Sequence, residues 1–153
     1  MNASGFHAGG ALRILLADDD PLFAEGMAAL LSSAERLDVV GHAVNGDEAV
    51  EMTRSLRPDV VLMDISMPRS DGIEATRRIK ASVPATVVLV LTSSRSDEDI
   101  RSAARAGAAG YLTKESVTSD LATTILEVAA MAAGSPQRVA TGNDEPFANG
   151  SRS

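Results

Sequence analysis

The stretch "VVLMDISMPRSDG", Val60 to Gly72, begins as an unbroken aliphatic run and ends in turn residues. An aliphatic run without polar alternation suits a strand covered on both faces. The run stops at Asp64, and no Lys or Arg follows until Arg69. A strand that ends on a carboxylate, with no cation nearby in sequence, needs its charge balanced from elsewhere in the chain.

The same alternation of apolar runs and helical periodicity extends to either side. "LRILLA" (12–17), "LDVVGHAV" (37–44), "DVVLMD" (59–64), "ATVVLVLT" (85–92) and "GYLT" (110–113) read as strands. Between and after them, helices are expected over 21–34, 46–57, 72–83, 96–107 and 117–134. Pro21 suits a first helical turn, Asn45-Gly46 marks a turn, Ser96 or Asp97 can cap the fourth helix, and Gly107 can end it. Arg77, Arg78 and Lys80 read as a solvated helix face, and His42 as a structural residue within its strand. Five strands alternating with five helices predict an α/β fold, doubly wound around a five-stranded parallel sheet.

The totals agree with one domain and two loose ends. The chain has 153 residues, 44% of them hydrophobic and 23% charged, as in soluble globular proteins. A formal net charge of −7 argues against broad nucleic-acid binding by this chain, because duplex DNA attracts Lys/Arg stripes. There is no cysteine, which excludes disulfides, thiolate catalysis and Cys-based zinc sites. No apolar run approaches the roughly 20 residues of a membrane span, and "MNASGFHAGGAL" has no secretory h-region, so the expected location is the cytoplasm. Residues 1–11 read as a disordered extension, 12–134 as the folded domain, and the Gly-, Ser-, Asn- and Pro-rich 135–153 as linker or tail.

Ligands of open parallel sheets bind outside the C-terminal ends of the strands. Those ends carry Asp18, Asp19 and Asp20 after the first strand, Asp64 on the third, Thr92 on the fourth and Lys114 just after the fifth. An aspartate after a strand is most often a turn residue or helix cap, so no one of these positions decides anything. Their conjunction does, because carboxylates gathered at one edge are costly without a cation among them. A hard divalent ion held by oxygens, such as Mg2+, fits such a set. Asp64 then reads as a nucleophile towards phosphorus, with the metal and Lys114 neutralising the transferred group and Thr92 donating a hydrogen bond to it.

With those residues in place, "LLADDDPLF", "VLMDISMPRSDGIEA", "VLVLTS" and "AGAAGYLTKE" occur in the order found in receiver domains of two-component response regulators. The chain resembles that family, with its CheY-like, flavodoxin-like (βα)5 fold, from Arg13 to about Gly134. "DDDPLFAEGM", "VVGHAVNGDEAV" and "GYLTKE" are most similar to its NarL/FixJ (LuxR-type) branch. The resemblance implies phosphorylation of Asp64 by a sensor histidine kinase. It implies an Mg2+ site of Asp18, Asp19, Asp64 and the Ser66 backbone carbonyl. Thr92 and Tyr111 are the implied switch residues, and Lys114 the phosphoryl-binding lysine. Phosphorylation would then change the surface of helix 4, strand 5 and helix 5, commonly favouring a homodimer.

Members of this branch usually carry a C-terminal helix-turn-helix domain, and nothing after Gly134 resembles a recognition helix. The favoured reading is a receiver apart from its DNA-binding domain, controlling transcription through it and touching DNA only there. The alternative is a stand-alone receiver acting through protein contacts or as a phosphate sink. Two departures from the pattern stand out: Asp20 replaces a common His beside the site, and Glu115 follows Lys114 where many receivers have Pro. The loop after Lys114 is therefore expected to be built differently. A haloacid-dehalogenase-type phosphatase is the enzymatic competitor. It needs a second Asp two residues past the acceptor, and that position is Ser66. The chain reads as a regulatory phosphoacceptor, at most slowly self-dephosphorylating.

Overall fold

Strands β1 (Leu12–Ala17), β2 (Leu37–Ala43), β3 (Val60–Asp64), β4 (Val87–Thr92) and β5 (Gly110–Thr113) pair in parallel, in the order β2-β1-β3-β4-β5. This is the flavodoxin-like, doubly wound order expected of five βα units. The computed structural model of the protein describes residues 10–66, 72–93, 96–117 and 121–134. The helices are α1 (Pro21–Ser32), α2 (Gly46–Leu56), α3 (Gly72–Ser82), α4 (Asp97–Ala106) and α5 (Leu121–Gly134).

Period-two geometry divides the strands between two cores. Ile14, Leu16, Leu62, Leu89, Leu91 and Leu112 pack with Met27 and Leu31 of α1 and with Ile125 and Val128 of α5. Their neighbours Leu15, Val61, Met63, Val88, Val90 and Tyr111 pack on the other face, with Val50 of α2, Ile79 of α3 and Ala103 of α4. Both faces of β3 and β4 are therefore buried, which explains why these strands show no polar alternation. Each such side chain contributes about 1.5–3 kcal/mol when fully removed from water.

The helix ends follow the expected capping chemistry. Asn45 accepts the Glu48 amide at 2.8 Å, and Glu48 Oε1 accepts the Val44 amide at 2.8 Å. Ser96 caps α4, and Gly107 ends it in the left-handed region at φ 109°. Asp20 caps α1 by accepting the amides of Leu22 and Phe23, with Pro21 in the first turn.

The differences from expectation are local. β4 begins at Val87 rather than Ala85, because the Thr86 amide closes a turn onto the Val83 carbonyl at 3.0 Å; its hydroxyl donates to the Pro58 carbonyl at 2.8 Å. After β5 the chain makes a single 3-10 turn, Lys114–Ser116, and the described residues contain no cis peptide bond. Val117 is extended rather than helical, α5 is described from Leu121, and 118–120 lie outside the described residues, as do 1–9 and 135–153. The supposed solvated face of α3 is partly engaged. Lys80 is half-buried and donates to the carbonyls of Pro84 and Thr86 at 2.8 and 2.7 Å, and Arg78 reaches Asp47 of α2 at 2.8 Å.

Gly72 opens α3 directly beneath the end of β3. A Cβ there would lie 2.7 Å from the Asp64 carbonyl oxygen and 2.9 Å from Ile65 Cα, both backbone atoms. Gly72→Ala is expected to cost about 1–3 kcal/mol, read as a lowered urea midpoint. Gly26→Ala in α1, where nothing lies within 4 Å, is expected to raise the midpoint through helix propensity worth about 0.5–1 kcal/mol.

Candidate functional site: an acidic cluster at the C-terminal edge of the sheet

Strand register assembles the site. Ala17 of β1 lies opposite Met63 of β3, so Asp18 and Asp64 follow on the next level of adjacent strands. Asp64 lies opposite Leu91 of β4, one residue before Thr92, and Thr92 lies opposite Thr113 of β5, one residue before Lys114. Four residues distant in sequence thus reach one edge through the parallel ladder alone.

Lys114 Nζ donates to Asp64 Oδ2 at 3.0 Å and stands 3.3 Å from Asp18 Oδ2. Its ammonium also sits 4.4 Å from the centroid of the Phe23 ring, within cation–π range. Asp64 is 1% exposed, and its Oδ1 accepts the Ser66 amide at 2.8 Å. Asp18 Oδ1 accepts the Asp20 amide at 2.8 Å. Asp18 Oδ2 is buried without a hydrogen bond among the described residues, since its approach to Lys114 has ion-pair distance but not hydrogen-bond alignment.

The electrostatics follow from this placement. Asp18 lies over apolar Leu16, Phe23, Met27, Leu62 and Leu91. Burial raises its pKa above the ordinary 3.8; the Asp20 amide opposes the rise, Asp64 adds to it, and Lys114 opposes it. For Lys114, burial alone would lower the pKa. The hydrogen bond and charge of Asp64, joined by the charge of Asp18, outweigh it and hold the group above 10.5 as an ammonium.

Carboxylate oxygens of Asp18, Asp19 and Asp64 all lie within 4.8 Å of one another. Three carboxylates against one ammonium leave two negative charges, a set of hard oxygen donors and one buried oxygen lacking a hydrogen bond. Those features fit a small divalent cation such as Mg2+.

The structure therefore brings Asp18, Asp19, Asp64 and Lys114 together, with Ser66 beside them. Thr92 is buried at the end of β4. Tyr111 is 2% exposed, with its ring already inside the α2–α4 core rather than at the cluster. Asp20, which from sequence adds charge beside the site, has its carboxylate turned to the α1 amides. Three participants were missed in the sequence. Phe23 shares Lys114, Ser93 pairs its hydroxyl with that of Ser66 at 3.0 Å, and His42 Nε2 lies 2.8 Å from the Asp18 carbonyl oxygen. Only Ser93 had a signal, as the polar residue directly following Thr92.

Residues 14–126 match the response regulator receiver domain family. Transcriptional regulatory protein LnrK of Bacillus subtilis is 45% identical over 104 residues, covering 68% of this chain and 47% of LnrK. Nitrate/nitrite response regulator protein NarL of Escherichia coli is 36% identical over 117 residues, covering 76% of this chain and 54% of NarL. The crystal structure of a LuxR-family two-component response regulator from Aurantimonas superposes with a TM-score of 0.74 at 36% identity, covering 79% of this chain and 86% of that one. The chain belongs to the receiver domain family of two-component response regulators, with relatives of the NarL/LuxR type. It spans about half the length of the curated relatives it matches. Receiver domains are regulatory phosphoacceptors that bind Mg2+ at an acidic pocket and are phosphorylated by histidine kinases.

The raised Asp18 pKa fixes the sign of a stability prediction. Because the folded carboxyl holds its proton above the unfolded value of 3.8, its ionisation disfavours the fold. Stability falls as pH rises from 3.8 through the folded pKa and stays lower at neutral pH. Asp18→Asn is expected to raise the metal-free melting temperature at pH 7 by on the order of 2–5 °C, and to change little at pH 3. Thermal denaturation in EDTA at both pH values reads the difference. Excess Mg2+ should then stabilise the wild type more than the variant.

Proposed function

We propose that Asp64 is the phosphoryl acceptor of this receiver and that its donor is the phosphohistidine of a sensor histidine kinase. The supporting observation is the grouping of Asp64, held to Lys114 at 3.0 Å, with Asp18 and Asp19 oxygens within 4.8 Å. An Asp64 oxygen attacks phosphorus, the new O–P bond forms as the N–P bond breaks, and the departing imidazole keeps the bonding electron pair. Asp18, Asp19, Asp64 and the Ser66 backbone carbonyl are the proposed holders of Mg2+. When bound, the ion supplies positive charge for the non-bridging phosphoryl oxygens. Lys114 exchanges its Asp64 oxygen for a phosphoryl oxygen, and Thr92 donates its hydroxyl to another.

Tyr111 is the proposed second switch residue. Its ring shares a core with Ala103 of α4, which links the site's edge to the α4–β5–α5 surface. Phosphorylation biases that surface between two arrangements, favouring a homodimer in one. The unit doing this is 12–134, and the NarL and LnrK likeness supports a transcriptional output through a DNA-binding domain outside this chain. No helix among the described residues is long and apolar enough to cross a membrane, and the proposed location is the cytoplasm.

Incubation with acetyl phosphate and Mg2+ followed by intact-mass spectrometry tests the acceptor. The wild type is expected to gain one phosphoryl mass, about 80 Da, and to lose the gain in EDTA or as Asp64→Asn. A gain that survives Asp64→Asn would move the acceptor elsewhere. No gain from either acetyl phosphate or phosphoramidate would sink the phosphoacceptor reading.

A further inference from the structure

We propose that His42 is a positioning residue for the acidic pair, acting through the peptide that joins Asp18 to Asp19. This inference rests on the metal site proposed above. His42 Nε2 lies 2.8 Å from the Asp18 carbonyl oxygen. A carbonyl can only accept, so the ring donates from Nε2–H. The neighbouring β2 residue holds the other side of Asp18, whose amide donates to the Ala43 carbonyl at 2.9 Å. Consecutive β2 residues thus fix both peptide planes around Asp18.

The bonded carbonyl belongs to the Asp18–Asp19 peptide, whose orientation sets how the two carboxylates stand relative to each other. Asp18 is also anchored through its side chain, to the Asp20 amide. Asp19 is exposed and depends on the backbone for its direction. Ordering a residue's backbone costs free energy, and a loop already ordered does not incur that cost when a ligand binds.

A register shift places the ring. Ile14 pairs with Val39 but Leu15 pairs with Gly41, so Val40 is an extra residue in β2. An extra residue exchanges the faces of every side chain beyond it. His42 therefore stands opposite Leu16, on the α1 side of the sheet, one step below Asp18. Without the shift, the ring would point to the other face.

The test compares the full chain with His42→Phe and His42→Leu, which lack the donor, and His42→Gln, whose amide nitrogen can replace Nε2–H. Isothermal titration calorimetry with MgCl2 reads affinity, and the Asp18 carbonyl 13C resonance of metal-free protein reads the hydrogen bond. The expected result is an Mg2+ Kd about tenfold weaker in the Phe and Leu variants, the size typical of a lost outer partner of a metal ligand. His42→Gln should return both the affinity and the Asp18 resonance close to wild type. Equal affinity in wild type and the donor-less variants overturns the proposal. So does a Gln variant as weak as Phe and Leu, because ring packing would then be responsible. A wild type that binds no Mg2+ overturns the metal reading and the positioning role together, a result distinct from the other two.

Discussion

Asp18 and Asp64 end adjacent parallel strands, and burying two anions side by side is unfavourable unless a cation reaches both. At an effective dielectric near 20, like charges at the 4.8 Å upper limit of this cluster repel by about 3.5 kcal/mol, and closer ones by more. Lys114 at 3.0 and 3.3 Å attracts each of them more strongly at the same dielectric. The attraction exceeds the repulsion but does not remove the cost of desolvating Asp18, which is why that carboxyl keeps a raised pKa. Lys114 can reach this position only because β5 lies beyond β4 and β3 and ends level with them. The strand order, the brevity of β5 and the 3-10 turn after it therefore all bear on one ammonium group.

How much was legible in sequence depended on how local the cause was. β1 and β5 were readable to the residue, because a short, mostly apolar run and its polar or glycine stops lie side by side in the chain. Helix starts were readable through Asn45 and Ser96, whose partners are three residues away. The cluster of Asp18, Asp19, Asp64 and Lys114 followed from one general fact about parallel sheets. Asp20 could have been read as a cap, since Pro21 follows it, but its neighbours made it look like a third site carboxylate. What stayed hidden has distant partners. Lys80 is tied down by carbonyls around a turn, Arg78 finds Asp47 across 31 residues, and His42 finds Asp18 across 24. The register shift at Val40 has no composition signal, because Val39 and Val40 are chemically the same.

α4 and α5 meet the sheet through different kinds of side chain. α5 anchors itself with Leu121, Ile125 and Val128, whereas α4 buries only Ala103 and Ala106 fully. At about 0.8 kcal/mol per buried methylene, an alanine interface holds far less free energy than one of Leu, Ile and Val. α4 rests on the core through these two alanines with half-buried Ile100 and Ala104 beside them, and Tyr111 packs in the same core. Small residues in this segment serve as good helix formers.

That asymmetry connects the site to the surface. The same short strand carries Tyr111 on the α4 side and delivers Lys114 to the carboxylates three residues later. Under the proposed function, adding a phosphoryl group to Asp64 removes one of the two oxygens that Lys114 contacts and supplies new ones farther from the β3 backbone. The ammonium keeps Asp18 at 3.3 Å and is drawn towards the added phosphoryl charge. A shift at Lys114 pulls on the end of β5, whose other face is Tyr111 against α4. The alanine-lined face of α4 and the ammonium at the carboxylates are thus joined by the four residues of β5.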